Sequence, residues 1–141
     1  MPSESKNTPI QGLGTHHIAV YSRDLDRSLH LYRDVMGMEI ATEFMGGDRR
    51  ILLLDVGDGT HIELLGPNES TSPQAPTDGN DPIAHLALTT DDTKAALEVV
   101  RSAGYKVTTE PVTADIGKGQ QVIIAFFEGP DRELIELFQI L

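Results

Sequence analysis

A duplicated pattern constrains this chain more than any other feature. Residues 17–37 begin with His17 in a short apolar run, continue through a helix-like stretch and end at a glycine, and residues 85–104 repeat this order from His85. Each copy then reaches a further apolar segment with a central glutamate, Glu63 in the first and Glu136 in the second. Two supersecondary units built on one plan explain this periodicity most simply.

The composition sets the class of protein. A chain of 141 residues with 39% hydrophobic residues suits one compact structural domain, or two small halves that share one core. The formal net charge of -11 opposes binding to nucleic acid or to an anionic membrane, because no basic stripe is available to replace counterions. The absence of cysteine excludes disulfides, thiolate zinc sites and cysteine nucleophiles. Any metal must therefore bind nitrogen and oxygen ligands.

The order of predicted elements is β-α-β-β-β, twice, which defines an α+β protein. We expect a flexible N-terminal segment at 1–13, without the apolar stretch of a secretory signal, so a cytoplasmic location is the default. A first module follows at 14–66, then a linker rich in proline and glycine at 67–82, then a second module at 83–141. The predicted strands are 15–21, 38–44, 50–56, 60–65, 83–89, 105–109, 121–127 and 133–139, and the predicted helices are 25–35 and 92–103.

Alternation along the predicted strands gives the candidate site. His17 and His85 occupy equivalent positions in the first strand of each module, and Glu63 and Glu136 occupy equivalent positions in the last strand. Each carboxylate lies between aliphatic residues, where an unpaired charge would cost roughly several kcal/mol. Any one of these residues could instead be an ordinary core or surface side chain. Their agreement in two repeats favours four ligands of one metal ion.

Other residues receive weaker interpretations. His16 should point away from the face that carries His17 and is expected to be structural, whereas His30 is expected on the exposed side of the first helix. His61 shares a face with Glu63, and Tyr21 shares a face with His17. We predict that His61 and Tyr21 line a pocket, although a strand-end histidine at the rim is an equal alternative for His61.

These motifs together resemble the vicinal oxygen chelate superfamily, which includes glyoxalase I, methylmalonyl-CoA epimerase, extradiol dioxygenases and antibiotic-binding proteins. The resemblance covers nearly all of residues 14–140 and is carried by residues 17–20, 24–28, 36–38, 62–64, 84–88 and 129–138. It implies two tandem βαβββ modules that form a curved mixed sheet around a metal cleft. It also implies one divalent metal ion per site, held by His17, Glu63, His85 and Glu136, with Glu136 or Glu63 as the catalytic base.

The ligand count separates the branches of this superfamily. A full set of two histidines and two glutamates resembles glyoxalase I, whereas extradiol dioxygenases use two histidines and one carboxylate for iron. Residues 61–67 resemble the epimerase strand, and residues 129–138 look more like glyoxalases. The resemblance thus implies a glyoxalase I-like enzyme (lactoylglutathione lyase type) that isomerises a small oxygen-chelating substrate through an enediolate.

The alternatives to this function are, in order, a methylmalonyl-CoA epimerase-like isomerase, an extradiol dioxygenase and a non-catalytic antibiotic-binding protein. The ligands suit Ni, Co, Zn, Mn or Fe nearly alike, so the metal is left open. Family members of this size usually assemble their site in a homodimer, and the expected partners are a small-molecule substrate and a second copy of the chain, with neither nucleic acid nor a membrane.

Overall fold

The computed structural model describes residues 4–68, 82–129 and 132–141. These residues form two compact units. We call residues 17–84 the first unit, and residues 4–16 together with 85–141 the second unit. Most of the predicted linker, residues 69–81, and Pro130 and Asp131 of the family motif lie outside the described residues.

The first unit contains a four-stranded mixed sheet and one helical segment. The strands run in the spatial order β2-β3-β4-β1, with β1 and β4 parallel and the other neighbours antiparallel. The elements in chain order are β1 (Gly14–Tyr21), α1 (Leu25–Leu29) continued by a π-helical turn (His30–Val35), β2 (Glu39–Gly46), β3 (Arg49–Asp55) and β4 (His61–Asn68).

The helix of the first unit begins as its sequence predicts but changes its winding. The carboxylate of Asp24 accepts hydrogen bonds from the backbone N–H groups of residues 26 and 27, which caps the first turn. After Leu29 the turns widen, and the N–H of Met36 donates to the carbonyl of Leu31, five residues earlier. Met36, at the end of this wider turn, is 56% exposed. Met38 packs in the core instead.

Two apolar clusters cover the two faces of the first sheet. One lies between the helix and the sheet and contains Leu25, Leu29, Met38, Leu52, Leu54 and Leu64. The other cluster, on the opposite face, contains Ala19, Ile51 and Leu65, with Tyr21, Phe44 and Ala84 packed against it. Side chains alternate along each strand, so the second cluster shares its face with His17 and Glu63.

The second unit repeats this architecture. Its strands run in the order β5-β8-β7-β6, with β5 and β8 parallel, and its elements are β5 (Ile83–Thr89), α2 (Thr93–Ser102), β6 (Val107–Asp115), β7 (Gln121–Glu128) and β8 (Leu134–Ile140). Asp92 caps α2 by accepting from the N–H of Ala95, and Leu97 of this helix packs in the core of the unit. The α+β class and the two βαβββ modules predicted from the sequence are confirmed.

The N-terminal segment contacts the second unit. The hydroxyl of Thr89 donates to the carbonyl of Gly12, and the N–H of Asp91 donates to the carbonyl of Gln11. Ile10 packs against the core of this unit. Gly12 has φ 75°, and a Cβ there would overlap Asp91, so this close approach requires glycine. In the described ranges, neither helix is long and apolar enough to cross a membrane.

Candidate active site

In the first unit, His17 and Glu63 form a pair on one face of the sheet. In the parallel pairing of β1 with β4, His17 lies opposite His61 and Ala19 lies opposite Glu63. Alternation along each strand therefore puts His17 and Glu63 on the same face, diagonally across two strands. Nε2 of His17 is 3.6 Å from Oε1 of Glu63, and both side chains are buried. We call this side of the first sheet the ligand face.

The environment of His17 favours a neutral ring. Burial lowers the pKa of His17 below its ordinary value of 6.5, and the negative charge of Glu63 opposes part of this effect. The imidazole is therefore uncharged at neutral pH. An uncharged imidazole has a free lone pair on one nitrogen, which is the form that binds a metal.

The second unit repeats the pair with His85 on β5 and Glu136 on β8. Nε2 of His85 is 3.6 Å from Oε1 of Glu136, the same distance as in the first unit. Ala87 lies opposite Glu136 in the parallel pairing, just as Ala19 lies opposite Glu63. On the other side of β8, Phe126 lies opposite Glu136, and its ring meets the His85 ring edge to face with centroids 5.3 Å apart.

Glu136 has the more strongly perturbed environment. Burial raises the pKa of Glu136 from 4.5 to about 8, so without a cation this carboxyl group is largely protonated at neutral pH. A cation bound at the carboxylate would stabilise the charged form and release the proton. A buried carboxylate of this kind therefore gains more from a bound metal ion than an exposed one does.

The donor set fits a divalent first-row metal ion. His17, Glu63 and His85 qualify as candidate ligands by residue type and burial, and Glu136 joins them through its pairing with His85. Imidazole nitrogen and carboxylate oxygen suit Zn, Ni, Co, Mn and Fe. Each pair offers one imidazole nitrogen and one carboxylate oxygen, both of which such an ion accepts as donors.

The remaining histidines lie as follows. His61 is half-buried on the ligand face, opposite His17, so its predicted place in a pocket is compatible with its position. His16 is buried in the second unit and stacks on Phe138 with ring centroids 4.1 Å apart. His30 is exposed, with Nδ1 3.7 Å from a carboxylate oxygen of Asp34.

Sequence reasoning missed Arg49. Its guanidinium lies over the ring of Tyr21, 5.2 Å from the centroid, and Nη1 donates to the carbonyl of Gly66 at 3.0 Å. Tyr21 was predicted as a pocket residue, and it is half-buried on the ligand face. The signal for Arg49 was available in the alternation of β3, because Arg49 shares a face with Ile51, whereas Arg50 points to the other side.

Comparison with known proteins gives the family. Residues 14–137 match the model of a family described as the Glyoxalase/Bleomycin resistance protein/Dioxygenase superfamily. The chain belongs to this superfamily. The match spans both modules and all four predicted ligands, so the resemblance drawn from the motifs is confirmed. The superfamily contains metal-dependent lyases and isomerases.

Two different activities appear in the names of relatives within the superfamily. The chain is 31% identical over 127 residues to the protein YwbC of Bacillus subtilis (strain 168), which covers 87% of this chain and 94% of the relative. It is 31% identical over 125 residues to a lactoylglutathione lyase of Haemophilus influenzae, covering 87% and 90%. Among solved structures, a variant of Streptomyces coelicolor methylmalonyl-CoA epimerase in complex with 2-nitronate-propionyl-CoA has a TM-score of 0.71 at 26% identity, covering 89% and 95%.

Proposed function

We propose that the chain is a divalent-metal-dependent enzyme of the lactoylglutathione lyase (glyoxalase I) type, which isomerises a small substrate that chelates through two oxygens. The observation that carries this proposal is the His–Glu pair repeated in both units with the same 3.6 Å separation. The lactoylglutathione lyase name of a relative at 31% identity supports it.

In this proposal, His17, Glu63, His85 and Glu136 are the four protein ligands. A bound divalent ion would supply Lewis acidity toward the substrate oxygens. The residues themselves exclude water, since three of the four are at least 90% buried, and Phe126 covers the His85 ring. A dry surrounding strengthens every charge interaction in the site. The identity of the metal ion is left open among Ni, Co, Zn, Mn and Fe, because the donor atoms suit all five.

Glu136 is the residue that we propose to move the proton, with Glu63 as the alternative. Once a bound cation has released the Glu136 proton, the carboxylate can accept a proton from carbon and return it. Burial, which raises the pKa of Glu136 in the metal-free protein, favours the uptake of that proton. Proton transfer of this kind from the carbon beside a carbonyl to its neighbour is an isomerisation. In Glu136→Gln and Glu63→Gln proteins saturated with metal, the variant that lacks the base should show the larger loss of kcat.

A methylmalonyl-CoA epimerase-like isomerase is the second candidate. The Streptomyces coelicolor epimerase structure, at 26% identity and TM-score 0.71, favours it. Glu136 would act in a similar way in this reaction, because an epimerase also removes a proton from the carbon beside a carbonyl and returns it. The two candidates differ in the substrate and in whether the proton returns to the same carbon.

The experiment compares both substrate classes on one protein preparation loaded with Ni²⁺ or Co²⁺. Hemithioacetals of methylglyoxal with glutathione and with other thiols test the lyase, and deuterium uptake by methylmalonyl-CoA in D₂O, followed by mass spectrometry, tests the epimerase. Turnover of a hemithioacetal supports our first proposal, and exchange on methylmalonyl-CoA alone supports the second. Metal binding with turnover of neither would contradict both. Tight binding of an antibiotic without metal would instead support the binding-protein class.

We further propose that the enzyme acts as a homodimer in the cytoplasm. Light scattering after size exclusion should give twice the chain mass of 15.4 kDa. A mass of one chain for the metal-loaded, active protein would contradict the dimer. Cell fractionation followed by immunoblotting tests the location, which should be the cytoplasmic fraction.

A further inference from the structure

Arg49 is held in a fixed position on the ligand face. Its guanidinium lies 5.2 Å from the centroid of the Tyr21 ring, and Nη1 donates to the Gly66 carbonyl at 3.0 Å. A cation–π contact and a backbone hydrogen bond together restrict a side chain that otherwise has many rotamers. Several N–H donors of the guanidinium still have no protein acceptor among the described residues.

Arg49 differs in its partner from three other arginines of the described residues. Arg50 pairs with Glu43 at 2.6 Å, Arg33 with Asp34 at 2.8 Å, and Arg101 with Glu110 at 2.6 Å. Among the described residues, no carboxylate lies within ion-pair distance of Arg49. This is unexpected in a chain with 22 acidic and 11 basic residues, where acceptors are abundant. A half-buried cation without a carboxylate partner is suited to bind an anion from outside.

A β-bulge positions this arginine. Ile51 of β3 lies opposite Leu65 of β4, but Arg49, two residues earlier, lies opposite Asn68, so β4 contains one extra residue. The extra residue turns the Gly66 carbonyl toward Arg49. Gly66 itself must lack a side chain, because a Cβ there would lie 2.8 Å from the carbonyl oxygen of Arg50. The local distortion of the strand therefore supports the position of the guanidinium.

An apolar row separates Arg49 from the candidate ligands. Tyr21, Leu65 and Ile51 lie opposite one another across β1, β4 and β3, one two-residue step beyond Glu63. Such a step along a strand is about 7 Å. A substrate whose oxygens lie at His17 and Glu63 would cross these apolar side chains before it reached the guanidinium.

We propose that Arg49, held against Tyr21, binds a carboxylate of the substrate. It would so select oxygen-chelating substrates whose anionic group lies at least one two-residue strand step, about 7 Å, from the chelating oxygens. This inference rests on the proposed function, since it assumes that those oxygens lie at the His–Glu pairs. A carboxylate is favoured over a phosphate because one guanidinium neutralises a single negative charge, and the surrounding chain is strongly acidic.

The experiment measures binding of three hydroxamates, which are two-oxygen chelators, by isothermal titration calorimetry to the Ni²⁺-loaded protein and to the protein in EDTA. Adipic acid monohydroxamate carries a carboxylate at a suitable distance, hexanohydroxamate is its neutral analogue, and the phosphonate analogue of the first tests a dianion. The variants are Arg49→Gln, Arg49→Lys and, as matched control, Arg50→Gln, which removes the same charge from the opposite side of β3.

We expect the carboxylate probe to bind about 10- to 100-fold tighter than the neutral one, the range for a hydrogen bond to a charged group. This preference should vanish in Arg49→Gln, return in part in Arg49→Lys and persist in Arg50→Gln, with binding of the neutral probe unchanged throughout. Tighter binding of the phosphonate probe than of the carboxylate probe would overturn the choice of anion. Equal affinity of charged and neutral probes, with metal-dependent binding of both, would refute the role of Arg49. If neither probe required metal, the proposed function itself would fail.

Discussion

Replacing Glu136 with glutamine in the metal-free protein is expected to increase its stability at neutral and alkaline pH. The folded protein holds the Glu136 proton up to a pKa of about 8, whereas the unfolded chain releases it near the ordinary value of 4.5. Between these values the unfolded state binds fewer protons than the folded state, so the free energy of unfolding falls as pH rises. Glutamine has a similar shape and carries no charge to bury.

The size of this effect follows from the two pKa values of Glu136. Each pKa unit corresponds to about 1.4 kcal/mol, so the penalty that glutamine removes is about 3 kcal/mol at pH 7 and about 5 kcal/mol above pH 8. The difference between the variant and the parent protein should be close to zero near pH 4.5 and should grow steadily up to pH 8. This difference in stability reports on Glu136 alone, because the variant and the parent protein share all other titrating groups.

The assay is urea unfolding followed by far-UV circular dichroism in EDTA, at pH values from 5 to 9. Glu110→Gln serves as control, since Glu110 is exposed and its pKa is lowered by its hydrogen bond to Arg101. That variant should gain no stability as pH rises. A difference between Glu136→Gln and the parent that stays constant from pH 5 to 9 would refute the argument that burial makes the Glu136 charge costly.

Three further predictions use the same unfolding measurements. Because the pKa of His17 is lowered in the folded protein, the unfolded chain takes up a proton more readily, and stability should fall as pH drops below 6.5. His17→Gln should remove that part of the loss. An unchanged pH profile of stability in the variant would contradict this. Gly66→Ala should cost about 1–3 kcal/mol, because its Cβ would meet the Arg50 carbonyl oxygen; an unchanged midpoint would refute the close contact. Ni²⁺ at 100 times its dissociation constant for the parent protein should stabilise that protein by about 2.7 kcal/mol. The same concentration should not stabilise Glu63→Gln. Equal stabilisation of both proteins would exclude Glu63 as a ligand.

The helices and strands were largely predictable because hydrophobic periodicity and capping residues act locally. Asp24 and Asp92 each precede a helix and cap it. The π-helical turn at residues 30–35 was not predictable, because the choice between hydrogen bonds to the fourth and the fifth preceding residue depends on how the helix packs.

The strand β6 was predicted too short. The sequence indicated residues 105–109, whereas the strand is Val107–Asp115. Pro111 lies within the observed strand, although proline cannot donate a backbone hydrogen bond to a sheet. The strand continues because it lies at the end of the order in its unit, and its register with β7 shifts between Thr109 and Val112, which accommodates the proline.

The candidate ligands and Arg49 differ in how they could be found. The internal repeat places each histidine and glutamate at equivalent strand positions, and parallel pairing within each unit then brings them to 3.6 Å. Alternation along β3 gives the face of the sheet on which Arg49 lies, but its hydrogen bond to Gly66 depends on a bulge between β3 and β4, which shifts the register by one residue. A bulge leaves no reliable signal in a single sequence, because the strand pattern on either side of it is unchanged.

The central claim is that His17, Glu63, His85 and Glu136 bind one divalent metal ion. The most direct test is elemental analysis of protein purified without chelators, together with Glu63→Gln, His85→Ala and the exposed control His30→Ala. We predict about one first-row divalent ion per chain in the parent protein and in His30→Ala, and a loss of the ion in the two ligand variants. The claim would be contradicted if the parent protein bound no such ion even when supplied with it, or if either ligand variant retained a full complement.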